Sequence, residues 1–71
     1  MDRSMQLRHL AQAERHIELG NKHIADQEER VGIREIYGRD VARSRALLET
    51  FRLLQAQHIA HRDLILKELG Q

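Results

Sequence analysis

LRHLAQA, ERHIELG, NKHIADQ, EERVGIR: residues 7–34, set out in blocks of seven, repeat themselves in register. His9, His16 and His23 recur at one position of the block, and Leu10, Ile17, Ile24 and Val31 at the next. Arg8, Arg15 and Lys22 travel with them, and Arg30 follows one place late. Seven residues are close to two turns of helix, so an apolar anchor at that spacing marks a helix that lies along another helix. The run therefore decides an all-α fold, and it assigns Leu10, Ile17, Ile24 and Val31 to a seam.

Outward from this run, the chain shows where the helix stops and where its partner starts. On the N-terminal side, Asp2 or Ser4 can cap the first turn by accepting hydrogen bonds from its unpaired amides. On the other side stands Tyr37-Gly38-Arg39-Asp40. Gly38 suits the left-handed conformation that closes a helix, and Asp40 can cap the next one. Gly20 and Gly32 cost about 1 kcal/mol each relative to alanine, yet neither comes with a proline or a turn cluster, so the helix is expected to run through both. The reading is a single domain, 1–71, with helix 1 over 4–37, a turn over 38–40 and helix 2 over 41–69. A connection this short folds the second helix back antiparallel to the first.

At about 100° per residue, Leu47, Leu48, Phe51, Leu54, Ile59, Ile65, Leu66 and Leu69 share one broad face of helix 2. Leu47, Phe51, Leu54 and Ile65 are taken from it as the seam facing helix 1, and Gln55, His58 and Arg62 give the stripe a polar middle. Ala46, Leu53, Ala60 and Leu64 form a thinner stripe on nearly the opposite side. Lys67 and Gly70 supply a favourable helix end.

The chain has 71 residues, no Cys and no Pro, and its aromatic side chains are Tyr37 and Phe51. A chain this short needs a partner, a metal or a disulfide to stabilise it, and disulfides and thiolate zinc sites are excluded. Two helices of roughly 30 residues, about 45 Å each, leave one flank of each uncovered. A homodimer forming a four-helix bundle is the expected remedy. With the turn centred near residue 39, Val31 faces Leu47, Gln27 faces Phe51, Ile24 faces Leu54, Gly20 faces His58 and Ala13 faces Ile65. In this register Gly20 leaves room for His58.

The histidines invite a metal reading, which spacing opposes. His9, His16 and His23 are about 10.5 Å apart along the axis, too far to share an ion within one helix. His58 and His61 are three residues apart and His16 lies near their level, but further ligands would have to come from a second copy, and neither Glu-x-x-His nor His-Glu-x-x-His occurs. No metal and no cofactor are expected. His16, His58 and His61 remain a candidate polar or pH-sensitive layer, because protonated imidazoles beside Arg8, Arg15, Arg62 and Lys22 would weaken an interface.

Charge is nearly balanced: six Lys or Arg against seven Asp or Glu in residues 1–37, and six against four in residues 38–71. There is no long-range pull toward nucleic acid or anionic lipid. No run approaches the roughly 20 apolar residues of a membrane span. The segment MDRSMQLRHL lacks the apolar core of a secretory signal, so no membrane and a cytoplasmic setting are expected. Ser4, Ser44, Thr50 and Tyr37 have no base or oxyanion loop arranged around them and no glycine-rich phosphate loop exists, so no catalytic residue and no enzyme are expected.

The run RHL-x-x-AERHI-x-x-G-x-x-HI, followed by LLETFRLLQAQHIAHRDLILKELG, resembles small helical-hairpin proteins of alpha-proteobacteria such as rhizobia, over nearly the whole chain. No activity is assigned to that group, so the resemblance implies a bacterial cytoplasmic setting and transfers no site. The functional expectation is a self-associating structural or regulatory protein-interaction module, with another protein as a further candidate partner. The alternative is an RNA- or DNA-binding bundle using Arg8, Arg15 and Lys22, against which stand Glu18, Asp26 and Glu29 on or beside that face. Pairs such as Glu18 with Lys22 and Asp26 with Arg30 explain the same charges as a solvated surface.

Overall fold

A computed structural model describes residues 2–70 and consists of two antiparallel helices, α1 (Arg3–Tyr37) and α2 (Val41–Glu68). Of the two candidate caps for α1, Asp2 takes the role: its Oδ1 accepts the Ser4 amide at 3.0 Å. Gly38 closes α1 at φ 67°, and the amides of Gly38 and Arg39 both donate to the Arg34 carbonyl. Asp40 departs from expectation. It sits at φ 46° and its carboxylate makes no capping bond; it lies 3.6 Å from an Arg34 guanidinium nitrogen instead. The left-handed backbone that turns the chain carries its side chain away from the first turn of α2, which therefore starts without a side-chain cap.

Both helices bury a strict heptad. On α1 the buried or half-buried residues are Gln6, Leu10, Ala13, Ile17, Gly20, Ile24, Gln27, Val31 and Arg34, spaced alternately four and three apart. On α2 the same alternation runs through Val41, Ser44, Leu48, Phe51, Gln55, His58, Arg62 and Ile65. The α1 seam of Leu10, Ile17, Ile24 and Val31 lies inward, as do Phe51 and Ile65. Leu47 and Leu54 do not belong to this core: they are 42% and 45% exposed, and Leu48 and Ser44 take the inward places. An apolar count is drawn toward Leu47 and Leu54 because polar Ser44, Gln55, His58 and Arg62 occupy true seam positions.

The core is small and half polar. Ala13, Val31, Leu48 and Ile65 are its buried apolar residues, matched by buried Gln6, Gln27, Ser44 and Gln55. Burying an amide is tolerated when it is hydrogen-bonded, and each glutamine crosses the interface to find a partner. Gln6 donates to the Glu68 carboxylate. Gln27 donates to the Ser44 carbonyl at 3.0 Å. Gln55 donates to the Ile17 carbonyl and to Asn21 Oδ1, both at 2.8 Å. No buried side-chain nitrogen or oxygen among the described residues lacks a partner.

Gly20 is the notch that admits Gln55. A Cβ built on Gly20 would fall 2.7 Å from Gln55 Cδ and overlap its amide oxygen. The packing role expected of Gly20 is thus real, with Gln55 rather than His58 as the occupant; His58 stands beside it, Nδ1 3.4 Å from Gln55 Oε1. Gly32 differs, since a Cβ there would meet nothing within 4 Å. Gly32→Ala is therefore expected to stabilise the protein by about 1 kcal/mol of helix propensity, read as a rise of about 4–8 °C in melting temperature. A fall in melting temperature would mean that Gly32 has a contact this structure does not contain.

Among the described residues no ion pair joins Glu18 to Lys22 or Asp26 to Arg30; apart from the neighbours Arg62 and Asp63 on α2, the pairs bridge the helices or the turn. Glu28 meets Arg52 at 3.1 Å and Glu35 meets Arg45 at 3.5 Å, both well exposed. Each contributes on the order of 0–1 kcal/mol. The hairpin measures 52 × 15 × 14 Å with a radius of gyration of 16.1 Å, against about 11 Å for a compact domain of this length. Among the described residues no helix is long and apolar enough to cross a membrane.

A candidate interaction flank

The heptad gives the hairpin two unlike flanks. One carries the positions that follow the α1 anchors by four residues, Glu14, Asn21, Glu28 and Glu35, opposite Arg45 and Arg52 of α2. The cross-helix ion pairs lie here and make the turn-end half of this side charged and solvated, while Leu7 and Ile59 are exposed further along it.

The other flank is built from four columns. On α1 these are the residues just before the anchors (His9, His16, His23) and the column beside them (Met5, Leu19, Ile33). On α2 they are Leu47, Leu54 and His61, with Leu64 alongside. Met5, Leu19, Ile33, Leu47, Leu54 and Leu64 are each more than 40% exposed. Shallow grooves open on the same side: one lined by His23, Asp26, Gln27, Arg30 and Phe51, and another by His16, Leu19, Gly20, His23 and His58.

The structure sorts the histidine layer. His16 and His58 come together with ring centroids 5.5 Å apart and planes tilted by 46°. His61 is exposed and lies outside that pair. His23, absent from the expected layer, tilts over Phe51 at 6.0 Å. The Gln55 amide group donates twice through Nε2, which leaves Oε1 to face His58 Nδ1 at 3.4 Å. Among the described residues no group of three or more His, Asp or Glu is placed to hold a metal ion.

Leu47 and Leu54 thus leave the intramolecular core and reappear as members of this flank. Met5 and Leu19 were not singled out by periodicity, although a signal exists: Met5, Leu19 and Ile33 sit on one heptad column, in which polar Gln12 and Asp26 alternate with them. That alternation weakens the column's apolar signature, and the more conspicuous histidine column beside it hides what is left. Comparison of the chain with protein-family models, with curated proteins and with solved structures yields no match.

Proposed function

We propose that the chain is a self-associating helical-hairpin module, structural or regulatory, in which two copies pair through this flank to form a four-helix bundle. The observation that carries the reading is the one-sided placement of Met5, Leu19, Leu47, Leu54 and Leu64 opposite a flank of cross-helix ion pairs. Exposed apolar side chains gathered on one side of a small protein mark an interaction site. Surface area argues for a second copy as the occupant. The hairpin exposes 5569 Å², where a compact monomer of 8.4 kDa exposes about 4,600 Å². The excess of about 1,000 Å² matches the roughly 800 Å² that each partner buries in a stable interface. His9, His16, His23 and His61 lie on or beside the same columns, so protonation of these side chains would act on the pairing itself.

Sedimentation equilibrium at micromolar concentration tests the reading. The wild type is expected at twice the 8.4 kDa chain mass. Leu19→Glu combined with Leu54→Glu is expected to raise the dissociation constant by at least about a hundredfold, since each buried leucine contributes about 1.5–3 kcal/mol. Leu53→Glu, 60% exposed on the outer side of α2, is expected to leave it unchanged. A monomeric wild type, or an equal effect of Leu53→Glu, overturns the proposal. Arg8, Arg15 and Lys22, which carry the nucleic-acid alternative, are exposed along the outer surface of α1; a salt-dependent gel shift abolished by their replacement would favour that alternative.

A further inference from the structure

Charge is balanced over the whole chain but not along the hairpin. Residues 30–45 hold Arg30, Arg34, Arg39, Arg43 and Arg45 against Glu35 and Asp40, while all other residues together hold more carboxylates than cations. Folding gathers these arginines at the turn end. Arg45 is engaged by Glu35 at 3.5 Å and Arg34 by Asp40 at 3.6 Å. Among the described residues Arg30, Arg39 and Arg43 enter no ion pair.

These side chains surround concave surface. Arg30, Ile33, Arg34, Tyr37 and Arg39 line a shallow, open cleft of about 470 Å³, a volume within the roughly 300–1,000 Å³ of small-molecule sites. A smaller groove of about 210 Å³ shares Arg30 and Arg34 with it and adds Asp40 and Arg43. Guanidinium groups match the oxygens of a phosphate with paired N–H donors, which a lysine cannot do. Tyr37 is 73% exposed, leaving its ring free at the edge of the cationic cleft. Such a ring beside arginines is the arrangement on which a nucleobase stacks.

We propose that the turn-end cleft binds a phosphate monoester joined through a sugar to a planar heteroaromatic ring, the chemistry of a mononucleotide. Arg30 and Arg39 hold the phosphate oxygens, Tyr37 receives the ring, and Arg34 joins when Asp40 releases it. The ligand is either a free nucleotide or the phosphorylated end of a single strand; the two share this recognition. Asp40 is the built-in competitor, a carboxylate occupying the donors that the phosphate would use.

Calorimetric titration of the full chain at low salt tests this, with inorganic phosphate, adenosine, adenosine 5′-monophosphate and a short 5′-phosphorylated oligoribonucleotide as probes. The monophosphate is expected to bind one per chain, tighter than phosphate and tighter than adenosine. Arg30→Gln and Arg39→Gln should each weaken it about tenfold, the usual loss for a charged hydrogen-bonding partner. Tyr37→Ala should reduce the monophosphate to the affinity of inorganic phosphate and leave phosphate itself unchanged. Asp40→Asn should strengthen binding severalfold; asparagine tolerates the left-handed backbone at this position, so the turn is kept, and unchanged helicity by circular dichroism would verify that. Tighter binding of the oligoribonucleotide than of the monophosphate identifies the strand end as ligand, and equal or weaker binding identifies the free nucleotide. The proposal fails if the monophosphate binds no better than adenosine, if Arg8→Gln weakens it as much as Arg30→Gln, or if Asp40→Asn weakens it.

Discussion

Gly20→Leu is expected to lower the melting temperature of the protein by at least about 10 °C. The inserted side chain would occupy the volume now filled by the Gln55 amide, whose Cδ already lies 2.7 Å from where a Cβ would be. Overpacking of this kind costs about 1–3 kcal/mol, and in a domain of this size each kcal/mol moves the midpoint by about 4–8 °C. Displacing Gln55 also removes its bonds to the Ile17 carbonyl and to Asn21. The steric origin is checked by a double-mutant cycle: Gln55→Ala vacates the notch, so Gly20→Leu with Gln55→Ala should recover part of the loss and show a favourable coupling. Strict additivity of the two changes would refute a shared site. Gly20→Ala is expected to cost less than Gly20→Leu, because the helix propensity it gains offsets part of the loss as the Gln55 amide is pushed from the notch.

Ile65→Ala should be the most damaging truncation in the molecule. Ile65 is 4% exposed and is one of four buried apolar residues, so it represents a large share of a small core. Replacing a buried isoleucine by alanine costs about 2–5 kcal/mol, and a chain of this length has a total stability of about 4–10 kcal/mol. Urea denaturation followed by far-ultraviolet circular dichroism should find the transition midpoint strongly reduced, or the cooperative transition gone at room temperature. Ile36→Ala, at a residue 79% exposed, is the matched control and should shift stability by no more than about 0.5 kcal/mol. Similar losses at both positions would show that the core does not lie where the heptad puts it.

The two helices and their turn were legible because local chemistry and the seven-residue period agree: Gly38 ends α1 where a left-handed residue is needed, and the α1 anchors recur without a break. The α2 seam was less legible. Its inward positions include Ser44, Gln55, His58 and Arg62, and an argument from apolarity alone slides toward Leu47 and Leu54, which lie one place aside. Asp40 misled for a different reason. Its residue type announces a cap, but the φ of 46° that the turn imposes redirects its carboxylate to Arg34. The approach of His16 to His58 follows from antiparallel register, whereas the contrast between the two flanks appears only when both helices are placed and the cross-helix ion pairs show which side is already satisfied. The arginine cleft is a product of the turn. Net charge averages it away, and only the fold brings Arg30 and Arg34 beside Arg39 and Arg43.

The glutamine that fills the notch has a consequence for the conformations the chain does not adopt. Leucine and isoleucine seams are nearly interchangeable under a shift of one heptad, so two long helices of this kind risk docking one step out of place. Moved by seven residues, Gln55 would meet Ala13 or Gln27 in place of Gly20. Its amide would then have no recess, and Gln27 would lose the Ser44 carbonyl in the same movement. Slipped hairpins thus bury unpaired amides while the native one does not, and that difference rejects them more sharply than apolar contact could. The polar half of the core acts as an alignment key, trading some cohesion for a single way of closing.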